Sequence, residues 1–256
     1  MDAELLRLLL ITFVAAVVAD LSMVLGVAPF FFLKDLSKNA AATLSAVAAG
    51  MMAAASLVQL VGEGLRRTTG LQVWEVAAGI VLGALFYGGV ARWVKVNDTF
   101  NPFGLRATGG AAAVMIVAAM TAHSLPEGIA IGVAFGSGEA GFGIAVVSAL
   151  AVHNVPEAIA ITLALRAKGL SVWQCMGWAL VTSVPQPLAA PFAAWLMWLF
   201  EPLLPFGLGF AAGAMLFLVV DDLLPEALEE IDPTRTAAAF TGGAVGMIVL
   251  GRFVGL

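Results

Sequence analysis

Charged residues are scarce in this chain. Only 11% of its 256 residues are Asp, Glu, Lys or Arg, whereas soluble domains carry roughly 25%. The twelve Lys and Arg residues are scattered singly or in pairs, which excludes the basic patch of a nucleic-acid-binding protein. Hydrophobic residues make up 61% of the sequence, and the mean hydropathy is +1.01. These values predict a polytopic membrane protein.

Cysteine and the common catalytic motifs are almost absent as well. Cys175 is the single cysteine, so an intramolecular disulfide is excluded and a cysteine-based metal site has little support. The sequence contains neither the G-x-x-x-x-G-K-[ST] motif of nucleotide hydrolases nor the H-E-x-x-H motif of zinc hydrolases. We therefore expect no ATP hydrolysis by this chain, and no enzyme activity.

Long apolar runs make up most of the sequence. A helix needs about 20 apolar residues to cross a bilayer, and eight runs meet that requirement, with no connection long enough to separate two domains. The predicted spans are 5–33, 40–62, 71–91, 107–135, 140–165, 172–200, 203–226 and 236–256. The sequence therefore predicts one all-α transmembrane domain, residues 1–256, built as an eight-helix bundle.

The distribution of positive charge predicts the orientation of these spans. Lys and Arg are enriched in cytoplasmic loops, and an arrangement with both termini outside puts eight of the twelve inside. The neighbouring Arg66 and Arg67 are its weak point, because they fall outside. We expect an N-out, C-out protein of the inner cell membrane. Spans one, three and eight contain few internal polar groups and should lie at the periphery.

Both histidines of the chain lie in a pair of near-copies, HSLPEGIAI at 123–131 and HNVPEAIAI at 153–161, identical at six of nine positions. Each copy separates a histidine from a glutamate by four residues, so the two side chains share one helix face. Ionisable groups inside membrane spans are costly and usually face a bundle interior or a water-filled cavity. A second polar residue, Ser124 or Asn154, follows each histidine. This arrangement favours a bound cation.

The prolines of the two copies strengthen this interpretation. Pro126 and Pro156 cannot donate to the carbonyls of Ala122 and Val152, so we expect helices four and five to be kinked at the bundle core. A kink there would supply space and extra oxygen ligands. Antiparallel packing of the two helices would bring two imidazoles and two carboxylates together. That donor set suits Zn²⁺ and similar first-row divalent ions better than Mg²⁺ or Ca²⁺.

These segments resemble the fourth- and fifth-helix signatures of the ZIP (Zrt-/Irt-like) family of divalent metal transporters. Residues 24–37, 48–56 and 209–227 are similar to the family's first, second and seventh helices. The resemblance implies a secondary transporter with its site between helices four and five. Its substrate would be Zn²⁺, Fe²⁺, Mn²⁺ or Cd²⁺, its surroundings a lipid bilayer, and no prosthetic group would be needed.

The resemblance also implies which residues bind the metal. The ligands carried over are His123, Glu127, His153, Glu157 and Asn154. Met52 matches a position that lies near the site in the family, although a core methionine is the simpler interpretation. Ser124 stands where the family usually has asparagine, and Gln186 where many members have glutamate. A second, adjoining metal position would lose charge through Gln186, so we expect it to be weak or empty.

Other intramembrane acids allow two interpretations each. Asp20 either lines the transport path or makes a hydrogen bond between helices. The acids of the seventh span either form an acidic mouth that gathers cations or are a solvated helix end. These acids are Asp221, Asp222, Glu226, Glu229, Glu230 and Asp232.

Two other functions stay open at this point. An intramembrane zinc-dependent hydrolase also uses His and Glu around zinc, and a non-transporting membrane scaffold could use the His–Glu faces to hold helices together. Metal binding itself would separate the scaffold from the transporter. The oligomeric state is not determined by the sequence, and a homodimer is one alternative.

Overall fold

The computed structural model describes residues 3–32, 37–96 and 105–254, and every regular element within these ranges is helical. The α-helices are α1 (Ala3–Leu21), α2 (Met23–Val27), α3 (Lys38–Ala54), α4 (Gly62–Arg66), α5 (Val73–Val96), α6 (Leu105–Gly136), α7 (Ala140–Arg166), α8 (Val172–Ser183), α9 (Pro185–Leu199), α10 (Leu204–Leu218), α11 (Leu224–Glu230) and α12 (Pro233–Val254). The prediction of an all-α protein is confirmed.

Seven helical stretches within the described ranges are long and apolar enough to cross a membrane. They correspond to seven of the eight predicted spans and confirm a polytopic membrane protein. The predicted span 172–200, in which Pro185 and Pro187 predict a break, consists of the two shorter helices α8 and α9, which meet at Val184. Pro185 begins α9, and proline favours the first position of a new helix because its missing N–H is not needed there.

Three more spans are interrupted where the sequence predicts continuous helices. The first span is interrupted at Ser22, between α1 and α2, where the backbone N–H donates to the carbonyl of Ala19, three residues back instead of four. A π-helical segment, Ala55–Val61, joins α3 to α4, and another, Val219–Leu223, joins α10 to α11. Such π-segments occur often at functional sites. By contrast, α6 and α7 continue through Pro126 and Pro156, and the predicted kinks stay a prediction.

The bundle has an inner and an outer set of helices. In the most apolar stretch of the first, third and eighth spans, 28%, 22% and 22% of residues are buried, against 56–72% in the other four. This confirms that spans one, three and eight are peripheral. The inner set contains α6 and α7, which carry the two His–Glu pairs.

Two ion pairs show which ends of the spans lie together. Arg67, just after α4, places Nη2 2.7 Å from Glu139 Oε1 in the turn before α7. Lys38 Nζ at the start of α3 lies 3.2 Å from Glu230 Oε1 at the end of α11. These contacts agree with spans that alternate in direction. The N-out, C-out orientation itself stays a prediction.

Candidate metal centre

Helices α6 and α7 bring the two predicted His–Glu pairs into one cluster. His153 Nε2 lies 3.4 Å from Glu127 Oε1 and 3.3 Å from Glu157 Oε2. His123 Nε2 lies 3.9 Å from Glu127 Oε1 and 3.8 Å from Glu157 Oε1. One donor atom from each of the four side chains lies within 4.8 Å of the other three. We call these four residues the His–Glu cluster.

The four side chains of the cluster are buried. Each of its side chains is at most 2% exposed, and the two imidazole rings are nearly parallel, with centroids 6.3 Å apart. Among the described residues, Nε2 of both histidines, Oε1 of Glu127 and both carboxylate oxygens of Glu157 have no hydrogen-bonding partner. Buried polar atoms normally have one. The cluster therefore presents several nitrogen and oxygen atoms that are able to bind a metal ion and have no hydrogen bond within the described part of the chain.

The spacing of these donors fits a small divalent cation. Ligands placed tetrahedrally at about 2.0–2.1 Å from Zn²⁺ are roughly 3.3–3.4 Å from one another. The histidine-to-glutamate distances of 3.3–3.9 Å need only small side-chain movements to reach that value. Two carboxylates also match the charge of one divalent ion. The arrangement can therefore hold a metal with two nitrogen and two oxygen ligands.

Two further residues from the sequence prediction border the cluster. Asn154 is 1% exposed, and its Nδ2 donates to the carbonyl of Ala19 in α1 at 3.0 Å. Ser124 is 2% exposed, and its Oγ donates to the carbonyl of Met120 in its own helix at 3.2 Å. Asn154 thus links α7 to α1, whereas the Ser124 hydroxyl is used within α6.

Gln186 lies in the first turn of α9, directly after the break at Val184, and is fully buried. Its Nε2 lies 3.5 Å from the carbonyl oxygen of Ala16, to which it donates. A Cβ atom at Gly128 would collide with the backbone carbonyl oxygen of Gln186, so only glycine allows α9 to approach α6 this closely. Gly128 follows Glu127, which places the start of α9 beside the cluster.

Met52 lies in α3 and is 1% exposed within an apolar core that includes Ala49 and Ala53. This surrounding favours a packing role. A role of Met52 as a metal ligand stays a prediction.

A cavity of about 300 Å³ leads away from the cluster. Its lining includes His123 and Glu157 of the cluster as well as Asp221, Asp222, Glu226 and Glu229. A second cavity of about 470 Å³ shares Ala160, Ala164, Glu226 and Glu229 with it. One cavity therefore borders both the His–Glu cluster and acids of the seventh span, and their role as a cation-gathering mouth stays a prediction.

One residue at this cavity, Tyr87, is not among the site residues predicted from the sequence. Tyr87 in α5 is the only tyrosine of the chain, is 1% exposed, and donates from its hydroxyl to Asp222 Oδ2 at 3.1 Å. It therefore holds one of the carboxylates that line the cavity. The feature of the sequence that could have indicated this contact is a single tyrosine in an apolar span, because a buried hydroxyl needs a hydrogen-bonding partner.

Similarity to known proteins agrees with this geometry. A family model described as ZIP zinc transporter matches residues 105–251. That segment contains both helices of the His–Glu cluster.

Three relatives illustrate the extent of the similarity. Zinc transporter GufA of Myxococcus xanthus is 34% identical over 223 residues, covering 83% of this chain and 87% of the relative. Zinc transporter ZIPB of Bordetella bronchiseptica is 32% identical over 240 residues, covering 87% and 74%. An Arabidopsis thaliana protein, named as a candidate zinc transporter, is 37% identical over 228 residues, covering 88% of this chain. The chain spans only about a third (36%) of that plant relative's length.

Proposed function

Because the chain belongs to the ZIP family of zinc transporters, we propose that it carries Zn²⁺ across the membrane through the His–Glu cluster between α6 and α7. The observation that carries this proposal is the buried set of two imidazoles and two carboxylates at spacings of 3.3–3.9 Å. Imidazole and carboxylate suit Zn²⁺ and also Fe²⁺, Mn²⁺ and Cd²⁺. The names of the relatives put Zn²⁺ first among these.

The 300 Å³ cavity that borders the cluster favours transport over a purely structural role. A site that only holds helices together does not require an opening between its ligands and the protein surface. Here the opening passes from Glu157 to exposed carboxylates such as Glu226 and Glu229. Acidic walls in a low-dielectric cleft raise the local concentration of cations. We therefore assign this cavity as the route between the cluster and one side of the membrane.

The donor count argues against the hydrolase alternative. Catalytic zinc sites use three protein ligands and keep a fourth position for water, whereas closed four-ligand sites do not. The cluster offers four protein donors, and the family is one of transporters rather than enzymes. A zinc ion bound by all four residues would therefore have no open position for a catalytic water.

Uptake by proteoliposomes tests the function. We expect saturable entry of Zn²⁺ into vesicles that contain the full chain, with Cd²⁺, Fe²⁺ and Mn²⁺ competing and Mg²⁺ not competing, because Mg²⁺ requires oxygen ligands in octahedral geometry. Inductively coupled plasma analysis of the washed vesicles measures the entry. Zn²⁺ binding to the purified protein without uptake above empty vesicles would instead support the scaffold.

A further inference from the structure

Tyr87 brings a polar group from the outer set of helices to the wall of the 300 Å³ cavity. It lies in α5, the third span, where only 22% of residues in the most apolar stretch are buried. Among the described residues of α5, Tyr87 is the one whose polar side chain is buried. Its hydroxyl donates to Asp222 Oδ2 at 3.1 Å. Hydrogen bonds to a carboxylate are stronger than those between neutral groups, so this contact restrains the Asp222 side chain.

The tyrosine ring is held in place by the close packing of α5 against α10. A Cβ atom at Gly83 would collide with the backbone carbonyl oxygen of Phe210, so only glycine allows the two backbones to come this close. One turn further along α5, the ring of Tyr87 packs against Phe217, with centroids 6.1 Å apart. The hydroxyl therefore reaches Asp222 from a firmly packed support.

Tyr87 approaches Asp222 from the side that faces away from the cavity. The described residues that line the cavity belong to α3, α6, α7 and the end of the seventh span, and α5 contributes none of them. Asp222 itself is a lining residue. Its Oδ2 is therefore held towards α5 and away from the opening. Asp222 also lies in the π-helical segment Val219–Leu223, and such segments occur often at functional sites.

The number of acids around this cavity makes such a restraint useful. Five carboxyl groups border it, so a cation inside can be held by several of them at once. They are Glu157, Asp221, Asp222, Glu226 and Glu229. A route conducts an ion only if each position on it binds the ion weakly enough to release it. The hydrogen bond from Tyr87 occupies one acceptor oxygen of Asp222, which weakens the hold of this carboxylate on a passing ion.

We propose that Tyr87 is a positioning residue for transport, whose hydroxyl keeps one oxygen of Asp222 out of the route and so sets how fast the metal passes the cavity. Without the hydroxyl, the Asp222 carboxylate turns into the opening and holds the ion longer. Tyr87 acts through Asp222 and does not touch the ion itself. This proposal rests on the proposed function, because it takes the cavity as the route of the ion.

The kinetics of Zn²⁺ uptake by proteoliposomes with Tyr87→Phe, which removes only the hydroxyl, test this role. A tighter binding position on the route lowers the maximal rate and KM together and leaves their ratio unchanged. We expect both to fall by roughly threefold to tenfold, the size that the loss of one intramolecular hydrogen bond allows. A lower maximal rate at an unchanged KM would show only a smaller fraction of active protein. That result, or wild-type kinetics, would overturn the proposal.

A second variant separates the freed charge of Asp222 from the mere loss of the contact. Asp222→Asn keeps the shape of the side chain and removes its charge, so KM should stay at or above the wild-type value. In this background, Tyr87→Phe should change neither KM nor the maximal rate, because the charge through which it acts is gone. A KM that falls in Asp222→Asn, or an effect of Tyr87→Phe that survives there, would overturn the proposal. The Asp222→Asn result stands even where Tyr87→Phe does not fold.

Thr12 provides a matched control for the loss of a buried hydroxyl. It is 0% exposed in α1 and donates to the carbonyl of Leu8 in its own helix at 2.8 Å, so Thr12→Val should keep the wild-type kinetics. A joint fall of KM and maximal rate in this variant would show a general effect of buried hydroxyls and contradict the role of Tyr87.

Isothermal titration of the same samples follows the His–Glu cluster, whose Zn²⁺ affinity should be that of the wild type in Tyr87→Phe. A weakened cluster would show that Tyr87 acts there rather than on Asp222, and would overturn the proposal. Wild-type vesicles that take up no Zn²⁺ refute the proposed function. Wild-type uptake with unchanged kinetics in Tyr87→Phe refutes the role of Tyr87 alone.

Discussion

Replacing Glu157 with glutamine should weaken Zn²⁺ binding by roughly a hundredfold or more, since even outer-shell changes cost 10–100-fold. Glu157 Oε2 lies 3.3 Å from His153 Nε2 and Oε1 lies 3.8 Å from His123 Nε2, so glutamine removes the negative charge beside both histidines and replaces one of the two carboxylate oxygens by NH₂. Zn²⁺ uptake should fall with the affinity. Isothermal titration of the purified variant and uptake by proteoliposomes measure the two effects.

A matched control separates this effect from a general loss of charge. Glu201 is exposed in the short turn before α10, and Glu201→Gln removes the same charge far from the cluster along the chain. This variant should bind and transport Zn²⁺ as the wild type does. Wild-type Zn²⁺ affinity in Glu157→Gln would contradict the assignment of the cluster.

Filling the cavity should stop transport without removing the metal. Ala164 in α7 lines both the 300 Å³ and the 470 Å³ cavity, so a tryptophan there would block their junction. An indole side chain has about 150–250 Å² of surface, enough for us to expect a loss of Zn²⁺ uptake of roughly tenfold or more. The affinity for Zn²⁺ should change little, because Ala164 is two helical turns from Glu157.

The control for this variant lies on the same helix. Ile144 is 58% exposed on α7, and Ile144→Trp adds a ring to its outer surface. Uptake by this variant should match the wild type. If Ala164→Trp also transports at the wild-type rate, the ion does not pass through this cavity, and the route proposed here is wrong.

The His–Glu cluster could be predicted from the sequence because its geometry is mostly local. A separation of four residues fixes the direction of His153 relative to Glu157 within one helix, whatever the helix packs against. The same pattern repeats in the next span. Consecutive spans joined by a short turn pack antiparallel, which predicts that the two His–Glu faces meet. Proline likewise marked the start of α9 at Pro185, since its effect on the backbone is local.

The contacts of α1 with α7 and α9 could not be predicted in the same way. Asn154 donates to the carbonyl of Ala19, 135 residues earlier, and Gln186 to that of Ala16, 170 residues earlier, and both contacts depend on how α1 packs against α7 and α9. The break at Ser22 has no proline beside it, and the π-segment at Ala55–Val61 lies in a run of small apolar residues. Such interruptions depend on packing between helices, which periodicity along one helix does not report.

X-ray absorption at the zinc edge, recorded on the purified protein loaded with one equivalent of Zn²⁺, tests the central claim most directly. We predict four nitrogen and oxygen neighbours at about 2.0–2.2 Å, with the multiple-scattering pattern of two imidazoles. The pattern should change to that of one imidazole in His153→Ala. A spectrum of the wild type that shows oxygen neighbours alone, or a sulfur neighbour from a methionine or Cys175, would contradict the assignment of His123, Glu127, His153 and Glu157 as the metal site.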